Sequence, residues 1–182
     1  MKNQQKIGVI LGSTRVGRQS PQVGKWVKEI ADKRNDAIYE IVDIAEFDLP
    51  FFGTTDFNDS RIMKWNKTIA SYDGFIFIVQ EYNHSITGAL KNALDLAREP
   101  WNNKAAAIVS YGAAGGARAA EHLRGILGEL LIADVRTHPT LSVFTDFADR
   151  ETFKPAPLHV PIVNEMLDQL ITWTGALSTI RK

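Results

Sequence analysis

Gly12-Ser13-Thr14-Arg15-Val16-Gly17-Arg18-Gln19 gathers two glycines, two hydroxyls and two guanidinium groups into one short stretch. The apolar run Ile7-Gly8-Val9-Ile10-Leu11 before it has the length and type of a buried strand. Ser20-Pro21 after it reads as a helix start, with Ser20 as N-cap and Pro21 at the first helical position. Free N–H groups and the positive dipole end of a helix favour an anion there. Ser13, Thr14 and Ser20 can donate hydroxyl hydrogen bonds, and Arg15 and Arg18 charge-assisted ones. Neither the G-x-G-x-x-G turn of dinucleotide sites nor G-x-x-x-x-G-K-[ST] is present. The loop therefore reads as a grip on one terminal phosphate. The competing reading is a solvated strand–helix connection whose arginines face water.

Two further loops follow apolar runs. Gln80-Glu81-Tyr82-Asn83-His84 follows Phe75–Val79, and Tyr111-Gly112-Ala113-Ala114-Gly115-Gly116 follows Lys104–Ser110. The glycines of the second mark a place where something approaches the backbone closely. Tyr82 and Tyr111 are candidates to frame a flat ligand, or else pack on neighbouring loops. Glu81 reads as a binding residue rather than a general acid. His84, His122, His138 and His159 lack ligand spacing, so no metal site is expected. His84 alone stands near the loops, as a minor candidate proton donor. Arg118 is a candidate for a nucleotide phosphate or a salt bridge between subunits. No nucleophile triad is evident.

The elements that position these loops follow from periodicity. Val23, Trp26, Val27, Ile30 and Ala31 make one apolar helix face. Ala37–Ile44 is a second strand, and Asn58 or Asp59 caps a helix reaching about Ser71. Phe75–Val79 is a continuous apolar strand, as in a sheet covered on both faces. Ser85 caps the next helix, which ends before Pro100, and another runs from Ala120 to Leu131. Asp134–Val143 holds a fifth strand, although Pro139 blurs its limits. Phe144–His159 is a long irregular stretch, a candidate lid or subunit arm. Pro161 begins the last helix. Phe51-Phe52 reads as a subunit contact or a wall of the site mouth, or else folds back on the core.

Alternating strands and helices predict an α/β, three-layer, doubly wound sheet of five parallel strands, one domain over residues 1–182. Ligands in that architecture sit at strand C-termini, the edge shared by all three loops. The chain has 21 Lys+Arg against 21 Asp+Glu, so no net field argues for nucleic acid or an anionic membrane. No apolar run has the length of a membrane span, and the first residues lack a signal-peptide layout. A cytoplasmic location is the default expectation. Without cysteine, thiol redox chemistry is excluded, and any electrons must sit on a cofactor.

Together Leu11-Gly12-Ser13-Thr14-Arg15 with Gly17-Arg18, Glu81-Tyr82-Asn83-His84-Ser85-Ile86 with Leu90-Lys91-Asn92-Ala93-Leu94-Asp95, and Ser110-Tyr111-Gly112 with Gly115-Gly116-Ala117-Arg118 carry a resemblance. Over about Lys6 to Val143 the chain resembles the NADPH-dependent FMN reductases, a flavodoxin-like family that includes quinone, azo-dye and chromate reductases. The resemblance implies strand order 2-1-3-4-5 and bound FMN. Its phosphate would be held by Ser13, Arg15 and Ser20, with Arg18 nearby. The flavin ring would meet Glu81, Tyr82 and Asn83, flanked by Ser110, Tyr111, Gly112, Gly115 and Gly116. It further implies hydride transfer from NADPH or NADH to flavin N5, with no catalytic side chain. Electrons would pass to a small acceptor such as a quinone, azo compound, nitro compound, chromate or free flavin. A homodimer or homotetramer with the flavin near a subunit boundary is implied too. Most relatives have Pro where this chain has Gln80, which would leave the loop freer. The competitors are a non-catalytic flavin-binding carrier or sensor, disfavoured by the neutral charge, and a phosphate-binding hydrolase or transferase on the same fold.

Overall fold

The computed structural model describes residues 4–181. Its central sheet contains β1 (Lys6–Leu11), β2 (Ile38–Asp43), β3 (Gly74–Gln80), β4 (Lys104–Gly112) and β5 (Ile132–Asp134), all parallel, in the order β2-β1-β3-β4-β5. Every residue of β3 and β4 is buried, as continuous apolar runs require when helices cover both faces. One face carries α1 (Ser20–Asp32) and α5 (His159–Leu177), which pack Val23, Val27, Val163 and Leu167 against Val9, Ile76 and Ala107. The other carries α2 (Ser60–Ala70), α3 (Gly88–Asp95) and α4 (Ala117–Glu129) around Trp65, Trp101 and Phe75. Trp65 is fully buried, and its indole N–H donates to Ala93 O at 2.7 Å, so its bulk enters the core without an orphan donor.

Two helix starts in the first half of the chain differ from the sequence reading. Gln19, in right-handed helical conformation, occupies the N-cap of α1 with no side-chain bond, so Ser20 is the first helical residue and not the cap. Thr87, not Ser85, caps α3, its Oγ1 accepting from Leu90 N at 3.0 Å. Ser85 closes a tight turn instead, exchanging backbone hydrogen bonds with Tyr82 in both directions at 3.0 Å. Asn83 and His84, with φ of 48° and 66°, form the tip of that turn, so no helix begins until it is complete.

The single strand expected over Asp134–Val143 is two. β5 pairs with the first residues of β4, and β6 (Thr140–Ser142) pairs with its last. Pro139 lies between them and has no N–H to donate, though its carbonyl accepts from Ser110 N at 3.0 Å. The stretch after β6 is not structureless. It folds into a small antiparallel hairpin, β7 (Phe147–Ala148) and β8 (Thr152–Phe153), before α5 begins at His159, two residues earlier than Pro161 suggests. Phe51 and Phe52 do not return to the core. Both are exposed, in a loop that Asn92 clamps by accepting from Phe52 N at 2.8 Å and donating to Pro50 O at 2.9 Å.

Candidate active site

The C-terminal edge of the sheet opens into a cleft of about 930 Å³. It is lined by the loop after β1 (Arg15, Gly17, Arg18, Gln19), the ends of β3 and β4, and the β7–β8 hairpin. The loop after β1 is fixed at its base. Gly12 N donates to Ile78 O at 3.0 Å, and Gly12 O accepts from Gln80 Nε2 at 2.8 Å and Thr87 Oγ1 at 2.5 Å. A Cβ on Gly12 would lie 2.8 Å from Ile78 O, so glycine is what lets the loop press against β3. Gln80 does not loosen its loop. Its buried amide ties the loops after β1 and β3 together.

Above that base, Ser13 is buried and its Oγ accepts from Arg15 N at 3.4 Å. The exposed Arg15 reaches across the cleft, its Nη1 donating to Tyr82 Oη at 3.4 Å, and among the described residues it has no carboxylate partner. Arg18 is less free, because Asp43 at the end of β2 pairs with it. Arg18 Nε and the fully buried Ser20 Oγ are left without a hydrogen-bond partner. Orphaned buried polar atoms are uncommon, and here they lie at the start of α1, where the helix dipole favours an anion. This donor set suits a phosphate ester.

The other half of the cleft is flatter. Glu81 N donates to Tyr111 O at 3.1 Å, joining the loops after β3 and β4. Burial would raise the Glu81 carboxyl, but the Arg118 guanidinium and backbone N–H groups at the start of α4 outweigh it and hold it below its ordinary value. Arg118 Nε donates to Glu81 Oε1 at 2.6 Å and Arg118 N to Oε2 at 3.2 Å. Arg118 is thus engaged within its own chain, and its Nη1 donates to His84 Nε2 at 2.8 Å, so that nitrogen carries no proton. Asn83 stands exposed on the turn tip.

Tyr111 is buried, and burial, with lesser effects from Tyr82, pushes its hydroxyl well above the ordinary phenol range. It is therefore neutral and able to donate. Ser110 turns away from the cleft. Its Oγ donates to Gly115 O at 2.6 Å and lies 3.0 Å from His138 Nε2. With the serine proton committed to Gly115, His138 must be the donor in the second contact, and the pair is not a nucleophile and its base. Gly112 lines the cleft, while Gly115 and Gly116 lie under it. Gly116 has φ of 72°, and a Cβ there would sit 2.7 Å from Tyr111 N, a contact only glycine avoids.

Residues of the hairpin escape a reading by motif. Asp149, Arg150, Glu151 and Thr152 all line the cleft, as does Gln22 of α1. The only sequence signal of the hairpin residues is the irregular length of the stretch after Val143.

Three comparisons bear on this cleft. Residues 5–146 match the model of the NADPH-dependent FMN reductase family. An NAD(P)H-dependent FMN reductase of Schizosaccharomyces pombe is 32% identical over 185 residues, covering 97% of this chain and 86% of that protein. A 2-hydroxy-1,4-benzoquinone reductase of a Burkholderia species is 37% identical over 136 residues, covering 69% of this chain and 71% of its own. Among solved structures, the flavoenzyme NAD(P)H:(acceptor) oxidoreductase FerB of Paracoccus denitrificans superposes with a TM-score of 0.77 at 21% identity, covering 94% and 98% of the two chains. That last likeness is one of fold.

Proposed function

The chain belongs to the NADPH-dependent FMN reductase family, and from that premise we propose that its cleft holds FMN for NAD(P)H-dependent reduction of a quinone or similar small acceptor. The observation that carries this reading is an Arg15 without a carboxylate partner among the described residues, on the rim of a cleft beside the start of α1, the helix that holds the buried Ser20 hydroxyl. Ser13, Arg15, Arg18 and Ser20 hold the phosphate in this reading. Glu81, Tyr82 and Asn83 meet the ring, with Tyr111 and Gly112 beside it. Ser110, Gly115 and Gly116 act from behind, by shaping the loop that carries Tyr111 and Gly112.

FMN held there would supply the redox chemistry, as an acceptor of hydride from the reduced nicotinamide and a donor of electrons to the acceptor. The chain's own groups position and tune. Arg15 and Arg18 offset the phosphate charge. Tyr111, neutral because buried, keeps its proton at Oη to donate to a ligand oxygen. Glu81 is ionised and locked by Arg118, so it offers no acidic proton. Protons reach the acceptor from water.

The same reading includes a single domain, a homodimer or homotetramer, and work in the cytoplasm, where reduced nicotinamide nucleotides are regenerated. Exposed Phe51, Phe52 and Phe57, beside a smaller 470 Å³ hollow that Thr14 and Phe51 share, support assembly near the site. The test is direct. Purified chain should take up FMN and oxidise NAD(P)H with a quinone at steady state. Arg15→Ala should weaken FMN about 10- to 100-fold, the worth of a charge-assisted phosphate contact; unchanged affinity removes the phosphate assignment.

A further inference from the structure

Arg150 has no role in the cofactor site just described, yet the fold goes to some length to place it on the rim. It sits at the tip of the β7–β8 hairpin, which lines the same cleft as Arg15 and Arg18. Strands of two residues cannot hold themselves together. Here both sides of the hairpin are anchored from outside. Gln22 of α1 uses its whole amide, accepting from Phe153 N at 3.0 Å and donating to Glu151 O at 3.1 Å. Phe153 packs edge-on to Trp26 of α1 at 5.4 Å and against Phe147 at 5.0 Å, and Phe147 in turn lies 5.9 Å from Tyr111. At the base, the Asp146 carboxylate accepts from Ser142 N, Ala156 N and His159 Nε2 at 2.9, 3.1 and 2.9 Å.

The tip itself is costly. Glu151 N donates to Ala148 O at 3.0 Å across Asp149 and Arg150, whose φ values are 51° and 60°. That is the turn whose second central position favours glycine, and an arginine occupies it. Its guanidinium makes no ion pair among the described residues and rests 5.0 Å over the exposed Phe144 ring. A guanidinium on the cleft rim, held only against an exposed ring, keeps its donors available to a ligand.

Charge and space narrow the class. Arg15 and Arg18 are both taken up by the FMN phosphate in the reading above, and Arg18 is also paired with Asp43. The 930 Å³ cleft is near the top of the ~300–1,000 Å³ usual for one ligand. Resting on that reading, we propose that Arg150 is a binding and specificity residue for the phosphates of the hydride donor, favouring NADPH, whose 2′-phosphate adds a dianion, over NADH. Flanking Asp149 and Glu151 make the tip's net charge negative, so attraction here needs direct guanidinium contact rather than a long-range field.

The experiment uses FMN-loaded wild type and Arg150→Ala, Arg150→Lys and Arg150→Gly. Binding is read by titration with NADP+, which delivers no hydride, and use by kcat and KM with NADPH and with NADH. Arg150→Ala should weaken NADP+ and raise the NADPH KM about tenfold, and raise the NADH KM about threefold at most. FMN affinity and kcat should stay within about twofold. Arg150→Lys should recover only part of the loss, because an ammonium lacks the bidentate fork. Arg150→Gly should lose nucleotide affinity like Arg150→Ala while the FMN-free protein melts about 1–3 °C higher, since glycine relieves the turn. NADP+ affinity unchanged in Arg150→Ala overturns the proposal, as does a tenfold loss of FMN affinity, which would place Arg150 on the cofactor phosphate. Wild type that takes up no FMN defeats the underlying reading and this one with it.

Discussion

At the scale of single residues, the direction a side chain takes separates a ligand contact from a structural one. Ser110 shows how. A serine at a strand end beside glycines reads as a ligand contact. Its hydroxyl, however, points inward to Gly115 O and His138. The Gly115 carbonyl, brought within reach by the turn after β4, takes that hydroxyl, and no local pattern announces the pairing. Arg18 is similar, since its partner Asp43 ends a different strand. Two behaviours therefore separate residues of similar sequence appearance. Ser110→Ala should lower stability by about 0.5–1.5 kcal/mol, because it removes the hydrogen bonds to the half-buried Gly115 carbonyl and His138 ring. FMN affinity should fall far less than in Arg15→Ala. Denaturant unfolding and flavin titration on the two variants measure this, and a reversed ranking would put Ser110 in contact with the ligand.

At the scale of elements, the long apolar runs of β3 and β4 identified themselves, because a strand covered on both faces admits little else. Short elements did not. The β7–β8 hairpin is specified by Gln22 and Trp26, more than a hundred residues away in the chain, and by Asp146, while its turn lacks the glycine that would have signalled it. Ser85 reads as the cap of α3, but the Tyr82–Ser85 turn consumes it and Thr87 takes that place. Elements around the site are also cross-linked through one atom. Gly12 O accepts from both Gln80 and Thr87, so the loops after β1 and β3 and the start of α3 share a carbonyl. Gln80→Ala alone should cost about 0.5–1.5 kcal/mol, since Thr87 still satisfies that oxygen. Thr87→Val alone also removes the α3 cap and should cost somewhat more. The double variant strands the carbonyl, so its loss should exceed the sum of the singles by about 1 kcal/mol or more. A double-mutant cycle by urea unfolding reads the coupling, and strict additivity would show that the two donors act independently.

At the scale of the whole molecule, the sheet opens into a polar cleft at its C-terminal edge and buries a charged side chain near the opposite end. Near that opposite end, Lys104 begins β4 and is almost fully buried, with Nζ donating to Ile69 O at 2.9 Å and resting 5.3 Å from the Phe75 ring centre. It caps the C-terminus of α2, where a cation suits the dipole. Burial, with Arg181 adding repulsion, nonetheless lowers its pKa to about 8, against an ordinary value of 10.5. Between these pH values the unfolded chain holds a proton that the folded chain has released, so stability rises with pH across that window. Tyr39, Tyr72 and Tyr111 act oppositely. Burial, helped for Tyr39 and Tyr72 by a neighbouring carboxylate and for Tyr111 by Tyr82, raises all three phenols above the ordinary 10, so the folded chain keeps protons there that the unfolded chain gives up. Their contribution is complete below pH 10 and is lost above it. The two trends place the stability maximum near about pH 10, with the melting temperature rising by a few degrees from pH 7.5 before it falls. Lys104→Met should abolish the rise while leaving the fall, because it removes the amine whose pKa is brought down into that window and keeps the side-chain bulk. Melting curves of both proteins from pH 7 to 11 decide the matter. A wild-type curve that is flat or falling from pH 8 would mean that Lys104 keeps its proton in the folded chain and that its two carbonyl contacts outweigh its burial.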